Sequence, residues 1–253
     1  IFKTRSLVVM NEHLAPRPFN EEQRAKAVVK TGLIDAPKPE IFQVYCDLAK
    51  TITEFATASF SLFDGDMECA ISATGKDEFE SGSQWERDKN NICSYVLLDT
   101  EPLLMHDVWS DPTWKNHPKA MNKTGARGYA GFPVVNKDNY ALGTLCMTNP
   151  EPKSLDKEKI SLVQKVTENM ALLLDVQAEQ KEITSQKFLE ALAVFQGKEA
   201  TFSLDDFKSF LMLSADLKIE SKTSEKLIDS GLCEANHKNI LRLTKEGRQL
   251  QVN

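Results

Sequence analysis

Two thiols, two carboxylates and a set of aromatic and cationic side chains fall between residues 91 and 149 of this chain. Cys93 and Cys146 can act as a redox pair, or one as a nucleophile, where a cation or a helix N-terminus holds the thiolate. Alternatively both are small buried hydrophobes, as free cysteines often are. Asp107 and Asp111 form the best pair of carboxylates. They can bind a cation or a basic ligand group, or they can cap turns and hold Arg127 in place. Tyr95, Trp114 and Tyr129, with Trp109, can wall an apolar pocket with polar handles. Cys93, Tyr95, Asp107, Asp111, Trp114, Arg127, Tyr129 and Cys146 are therefore the candidate ligand-binding set, and none is given a catalytic role. His106 and His117 stand on segments of different type, with no cysteine or third histidine in ligand spacing. Neither a metal site nor a cofactor is expected.

Composition narrows the classes. A formal net charge of −6 over 253 residues argues against a chain whose main task is neutralising phosphates. The five cysteines are widely spaced and form no CxxC pair, so structural zinc and thioredoxin-like chemistry lack support. Reduced thiols in a cytoplasmic protein are the expectation. No run of about 18 apolar residues is present to span a membrane, and residues 1–10 are too short in apolar content for a secretory signal. The chain opens with Ile, and Met10 begins a polar lead, so residues 1–17 are read as an extension. No phosphate-binding glycine loop, dinucleotide fingerprint or GxSxG elbow occurs. A non-enzymatic role follows.

The elements that must position these side chains come next. Residues 20–31 read as a helix with Asn20 able to cap its start and Gly32 to stop it. Residues 35–39 read as a turn. Ile41, Val44, Tyr45, Leu48, Ala49, Ile52 and Phe55 mark one apolar helical face. Residues 58–63 alternate, turn at Asp64-Gly65-Asp66 and return to residue 73, a hairpin signal. The polar stretch 75–91 reads as a loop or loose helix. Residues 93–98 and 103–108 bracket a turn, and residues 110–125 form a long polar connection. Residues 128–136 and 141–148 read as central strands. An antiparallel sheet with helices on one face follows. Ile160, Val163, Val166, Met170, Leu173 and Val176 then mark a helix over 156–186. Such a helix outlasts its sheet, and a second copy of the chain is the economical partner for its far end.

The order of motifs resembles one family. Ile92-Cys93-Ser94-Tyr95, the run from Pro102 to Asp107, Asp111-Pro112-Thr113-Trp114, the run from Arg127 to Val134 and that from Leu142 to Met147 are similar to the GAF domain of plain bacterial sensors. The stretch from Glu22 to Asp35 resembles that family's opening helix and turn. The likeness covers roughly residues 18–178. It implies an α+β fold with a GAF/PAS-like antiparallel sheet flanked by helices, and a small ligand bound between the sheet and the loops 75–91 and 110–125. Some GAF-like enzymes reduce free methionine sulfoxide with cysteines on a pocket loop, but here residues 75–91 hold none and only Cys93 follows. Bilin-binding members set a histidine beside the cysteine, and no cysteine here precedes one. For a phosphate ligand, Asp107 and Asp111 repel anions, offset by Lys115, Lys119, Lys123 and Arg127.

The tail differs. Phe188, Leu189, Leu192 and Phe195 make a helical face stopped by Gly197. Ser203 looks like a helix cap. Residues 221–230 read as a third helix, and residues 231–244 as a hairpin closed by residues 245–250. Three helices, a hairpin and the ending Leu243-Thr244-Lys245-Glu246-Gly247 resemble a winged helix. Basic and acidic residues balance from Lys187 onward, which favours protein contacts over DNA. The chain thus divides into 1–17, a sensor domain 18–155, a connecting and dimerisation helix 156–186, and a winged-helix-like domain 187–253. The leading expectation is a cytoplasmic sensory protein, a homodimer through residues 156–186, that relays binding of a small ligand to its tail. A methionine-sulfoxide-reductase-like thiol enzyme using Cys93 and a DNA-binding transcription regulator are the rivals. A membrane partner is not expected.

Overall fold

The computed structural model describes residues 15–34, 39–74, 81–219 and 224–250. The expected N-terminal extension (through residue 14), most of the turn at 35–39, part of the loop 75–91 and the start of the third tail helix lie outside them. The chain forms two compact units, Ile1–Lys181 and Glu182–Asn253.

The first unit begins with α1 (Glu21–Thr31) and α2 (Ile41–Thr53). Gly32 closes α1 in the left-handed region, φ 72°, and returns its N–H to the Val29 carbonyl. That conformation costs a glycine little, which is why the helix stops there. Asn20 does not cap α1 with its side chain. Its backbone carbonyl instead accepts the Arg24 N–H as the first helical bond. The core face of α2 also differs from the expected one. Phe42, Cys46, Ala49 and Thr53 point inward, while Ile41, Val44 and Leu48 are exposed. Phe42 decides the rotation by packing its ring 5.0 Å from that of Phe60.

The strands are β1 (Thr57–Phe63), β2 (Met67–Thr74), β3 (Gln84–Glu86), β4 (Leu103–Met105), β5 (Gly128–Val135) and β6 (Ala141–Asn149), with the short helices α3 (Ile92–Val96) and α4 (Pro118–Met121) between them. They form one antiparallel sheet in the order β3-β2-β1-β6-β5-β4. Two expected elements change type. Residues 92–96 are helical because the Asn91 side chain accepts the Ser94 N–H and caps a turn; a short apolar run by itself does not distinguish strand from helix. Residues 84–86, expected in a loop, add an edge strand to β2. That strand is held by backbone pairing, so its polar side chains carry no alternation.

Helices α1, α2 and the start of α5 (Lys157–Lys198) cover one face of the sheet with a hydrocarbon core that includes Phe60, Phe132, Leu145, Met147, Val163, Met170 and Leu174. The second face is not bare, as helices on one side alone would leave it. A smaller cluster of Ile92, Val96, Met105, Val108 and Tyr129 lies there under α3. Helix α5 runs on past residue 186 to Lys198. No proline or glycine interrupts it before Gly197.

In the second unit, the end of α5 packs with α6 (Leu204–Ser214), α7 (Glu225–Asp229), the hairpin β7 (Cys233–Ala235) and β8 (Leu241–Leu243), and α8 (Lys245–Gln249). Phe195, Phe202, Phe207 and Phe210 centre its core. Ser203 and Asp206 form a complete capping box on α6. Gly247 lies so near the Leu232 carbonyl that a Cβ would sit 2.2 Å from the oxygen, so the ending that marked the tail in sequence is a packing requirement.

One buried ionic clasp holds α1 to the β1–β2 turn. Glu21 receives Arg24 in a two-pronged bond (2.9 and 2.8 Å) and Arg87 at 2.6 Å. Both guanidiniums are fully buried and also donate to the carbonyls of Phe63, Asp64 and Gly65. Burial pushes the Glu21 carboxyl up, but the two arginines outweigh it and the net shift is downward; burial pulls Arg87 down to about 10. Removing the carboxylate strands two buried cations. Glu21→Ala is expected to cost about 3 kcal/mol in urea unfolding of the first unit, while Lys26→Ala on the exposed side of α1 leaves the midpoint unchanged. Because the folded pKa of Glu21 is depressed, its contribution is complete above the ordinary value of about 4.3. It is lost as pH falls through the lowered folded value, so the gap between wild type and Glu21→Ala closes in acid.

Candidate functional site

The two faces of the sheet differ in chemistry. Ala58, Phe60 and Leu62 of β1, Ala130, Phe132 and Val134 of β5, and Leu145 and Met147 of β6 all enter the hydrocarbon core on the helix side. Their neighbours in sequence face the other way: Ser61, Tyr129, Thr144 and Cys146, all buried. Gly131 stands opposite Cys146 in the register. A Cβ there would meet Val96 at 2.5 Å and the Tyr129 hydroxyl at 2.7 Å, so glycine lets α3 and the phenol close over the strand.

Strand β2 reaches the same face by a bulge. Ser72 pairs with Phe60 and Ala70 with Ser61, leaving Ile71 as the extra residue. Beyond the bulge Ser72 points to the helices and donates to Gln43 of α2 at 2.7 Å. On the turn side of it the parity is reversed. Cys69 joins Ile71 in the helix-side core, and Glu68 turns to the opposite face. There its carboxylate accepts the Asn91 amide at 2.5 Å and a hydrogen bond from Ser61. Burial raises the Glu68 pKa, and the bonds from Asn91 and Ser61 only partly oppose it.

Next to Glu68 lies a thiol–phenol cluster. Tyr129 Oη donates to Cys93 Sγ at 3.4 Å and stands 3.0 Å from Cys146 Sγ, whose thiol also donates to Thr144 Oγ1 at 3.2 Å. The neighbouring Cys146 thiol, burial and the Glu68 charge hold the Cys93 thiol well above its usual range, with the Tyr129 hydroxyl pulling the other way. Burial first, then the two thiols, raise Tyr129 likewise. A thiolate nucleophile needs the opposite environment. Cys146 is near enough to resolve an oxidised Cys93, but the activation expected of a thiol enzyme is missing from this arrangement.

The connection 106–127 forms the rim. Arg127 grips Asp107 through both nitrogens, Nε–Oδ1 at 3.1 Å and Nη2–Oδ2 at 2.5 Å, and its guanidinium lies 4.9 Å from the Trp109 ring centre. The Trp109 N–H and Ser110 hydroxyl complete the shell of Asp107. Arg127 is the main reason the Asp107 carboxyl is held at about 2. Asp111 caps the following turn through the Thr113 and Trp114 N–H groups. The two carboxylates thus close separate turns and do not form a shared cation site.

Tyr95 and Trp114 meet edge-on at 4.8 Å, with His117 5.0 Å from Trp114. Tyr95 Oη and His117 Nε2 share the Lys89 carbonyl, at 3.2 and 3.0 Å. His117 Nδ1 accepts the Lys119 N–H, which assigns the proton to Nε2, and burial lowers the pKa of the ring. His106 pairs with Ser154 instead. Among the described residues no group of three histidine, cysteine or acidic side chains could hold a metal.

Of the residues singled out in sequence, the fold gathers Cys93, Tyr129 and Cys146 into one cluster. It pairs Tyr95 with Trp114 and Asp107 with Arg127, and leaves Asp111 in a turn of its own. Sequence reasoning missed Glu68, Ser61, Asn91 and Thr144. The one available signal is an acid inside a mostly apolar returning strand, two residues beyond the Asp64-Gly65-Asp66 turn and easily taken for turn polarity.

In the second unit a groove of about 800 Å³ is lined by Lys218, His237, Lys238, Arg242 and Arg248, with Asp216 as its acidic member. No described helix is long and apolar enough to cross a membrane.

The family model described as GAF domain matches residues 39–174. A cyclic di-GMP phosphodiesterase of Pseudomonas aeruginosa is 24% identical over 138 residues, which is 54% of this chain but only 23% of that protein. Among solved structures, the chain is similar to a type II free methionine-R-sulfoxide reductase from Thermoplasma acidophilum. The identity is 15% and the TM-score 0.43, covering 57% of this chain and 94% of that one. It is also similar to the chromophore-binding domain of a bacteriophytochrome from R. palustris, at 16% identity and TM-score 0.47, covering 67% and 65%.

The raised pKa of the half-buried Cys93 thiol has a direct consequence. Iodoacetamide at neutral pH is expected to leave Cys93 and Cys146 unmodified in the folded protein, with peptide mass mapping as the readout, and to label both after denaturation. Rapid native labelling of Cys93 would contradict the electrostatics described here.

Proposed function

Because the chain belongs to the GAF domain family across residues 39–174, we propose that it is a cytoplasmic sensory or regulatory protein that holds a small ligand on the polar face of its sheet. The observation that carries this reading is a buried sheet face bearing Glu68, Ser61, Thr144, Cys146 and Tyr129, where a domain needing only stability would place hydrocarbon. Such groups offer both donors and an acidic acceptor to a ligand entering beneath α3 and the 106–127 rim. Occupancy changes what α3 packs against. Helix α5, which packs on the other face of the same sheet and continues into the second unit, carries that change toward the tail. The chain works as a homodimer through residues 156–186, and the second unit is a winged-helix-like interaction domain.

Native mass spectrometry of the full chain as purified tests the reading. The expected result is a mass excess that disappears on denaturation and falls about tenfold in occupancy in Glu68→Gln, as losing one charged hydrogen bond implies. Circular dichroism checks that the variant stays folded. No excess in any preparation, with no ligand recovered from host extract, would refute ligand sensing.

The cationic groove favours a second reading, in which the tail is the DNA-contacting part of a transcription regulator. Duplex DNA shifted by the wild type at low salt, weakened by added salt and lost in Lys238→Glu/Arg242→Glu is then expected. Absence of any shift at low salt removes it.

A further inference from the structure

The cations of the second unit are unevenly committed. Helix α7 carries a single lysine between Glu225 and Asp229. That lysine, Lys226, donates to the Thr201 carbonyl at 2.9 Å and stands 3.8 Å from Asp206. Lys218, Lys238, Arg242 and Arg248 instead gather round the groove of about 800 Å³, which Asp216 lines as its acidic member. Among the described residues none of these four has a carboxylate within ion-pair distance. Between them the groove is hydrocarbon. Leu213, Leu241 and Leu243 line it from the core of the unit, and Leu217 lines it while 53% exposed.

We propose that this groove docks an acidic peptide segment of another protein, with a bulky apolar side chain on the leucines and flanking carboxylates on the four cations. The proposal rests on the reading of the second unit as an interaction domain and supplies the chemistry of its partner.

Charge sets the sign of the partner. Four positive charges against one negative call for an anionic surface. The hydrocarbon then separates two anionic classes. Duplex DNA would meet the cations but brings no apolar side chain to cover Leu217. It is also a long rod with a negative charge every ~1.7 Å. The exposed acids of the same unit repel such a rod: Glu225 and Asp229 on α7, and Glu234 opposite Arg242 in the hairpin. A peptide is short enough to stay within the cationic rim, and its apolar side chain takes Leu217 out of water. Recognition falls to side chains, because the side of β8 away from β7 is already engaged. There the Leu241 N–H donates to the Ile219 carbonyl at 3.1 Å. Arginines such as Arg242 and Arg248 can grip a carboxylate with two parallel N–H groups, a mode common in acidic-motif recognition.

Selection of random phage-displayed peptides on the full chain tests the proposal, with the enriched peptide then titrated by fluorescence anisotropy. The expected winners carry carboxylates on either side of a leucine or an aromatic residue. Their binding is expected to weaken about tenfold in Lys238→Glu/Arg242→Glu and several-fold in Leu217→Ser. Circular dichroism should stay unchanged in both, since all three side chains are exposed. Duplex DNA is the comparison probe. A DNA shift that falls in the glutamate variant and ignores Leu217→Ser, with no peptide enriched, overturns the proposal and leaves a DNA-contacting tail. Winners without acids, or binding that survives the glutamates, overturn it while keeping an interaction domain. Neither peptide nor DNA bound overturns it together with both readings of the tail. A chain that carries a small ligand but selects no acidic peptide sinks the docking alone; acidic-peptide docking by a chain empty in every preparation keeps the docking and sinks ligand sensing.

Discussion

Everything in the first unit follows from a sheet that is covered on both faces. A strand presents successive side chains to opposite sides, so each strand must satisfy two environments at once. On the helix side that environment is hydrocarbon packed by α1, α2 and α5. On the α3 side hydroxyls, thiols, one phenol and one carboxylate share the face with the smaller apolar cluster of Ile92, Val96, Met105 and Val108. The first face holds the fold together, and the second is free to carry specificity. An exposed second face would have needed only ordinary polar residues. A buried one demands partners for each polar group, and Asn91, Ser61, Thr144 and Tyr129 provide them for one another.

Glu21 and Glu68 show how differently charge can be treated. Glu21 is matched by Arg24 and Arg87, so its pKa falls despite burial. It serves the fold, tying α1 to a turn through carbonyls that would otherwise lose water. Glu68 has neutral hydrogen-bond partners, and its pKa rises. Burial works against the charged form of a carboxyl so placed, and a bound donor would favour it. The same logic sorts the rim. Asp107 is committed to Arg127, and Asp111 to backbone amides.

Local signals in the sequence translated well where local physics decides the structure. Gly32 ends a helix because of its backbone, Asp64 and Gly65 turn a hairpin, and Ser203 caps α6. Strands β5 and β6 are legible because most of their residues are apolar, with Thr144 the one strongly polar side chain inside either run. What failed depends on contacts across the fold. The inward face of α2 is set by the Phe42–Phe60 contact, which periodicity alone does not weigh. Helix α3 depends on a single asparagine cap, and β3 on backbone pairing to β2. Asp107 and Asp111 were paired by spacing, yet tertiary geometry sends them to different partners. The thiol–phenol cluster joins residues from α3, β5 and β6, and no linear spacing encodes it.

The bulge at Ile71 acts as a parity bit. The count of residues between the β1–β2 turn and Ser72 determines which side of the sheet each side chain addresses, and one unpaired residue inverts the message halfway along the strand. Removing Ile71 would regularise the ladder and leave Glu68 opposite Phe63 on its own face, at the cost of one side chain from the helix-side core. The extra residue is what lets positions 68 and 72, four apart in sequence, serve opposite faces. A strand without it needs an odd spacing between its acid and its helix-side serine.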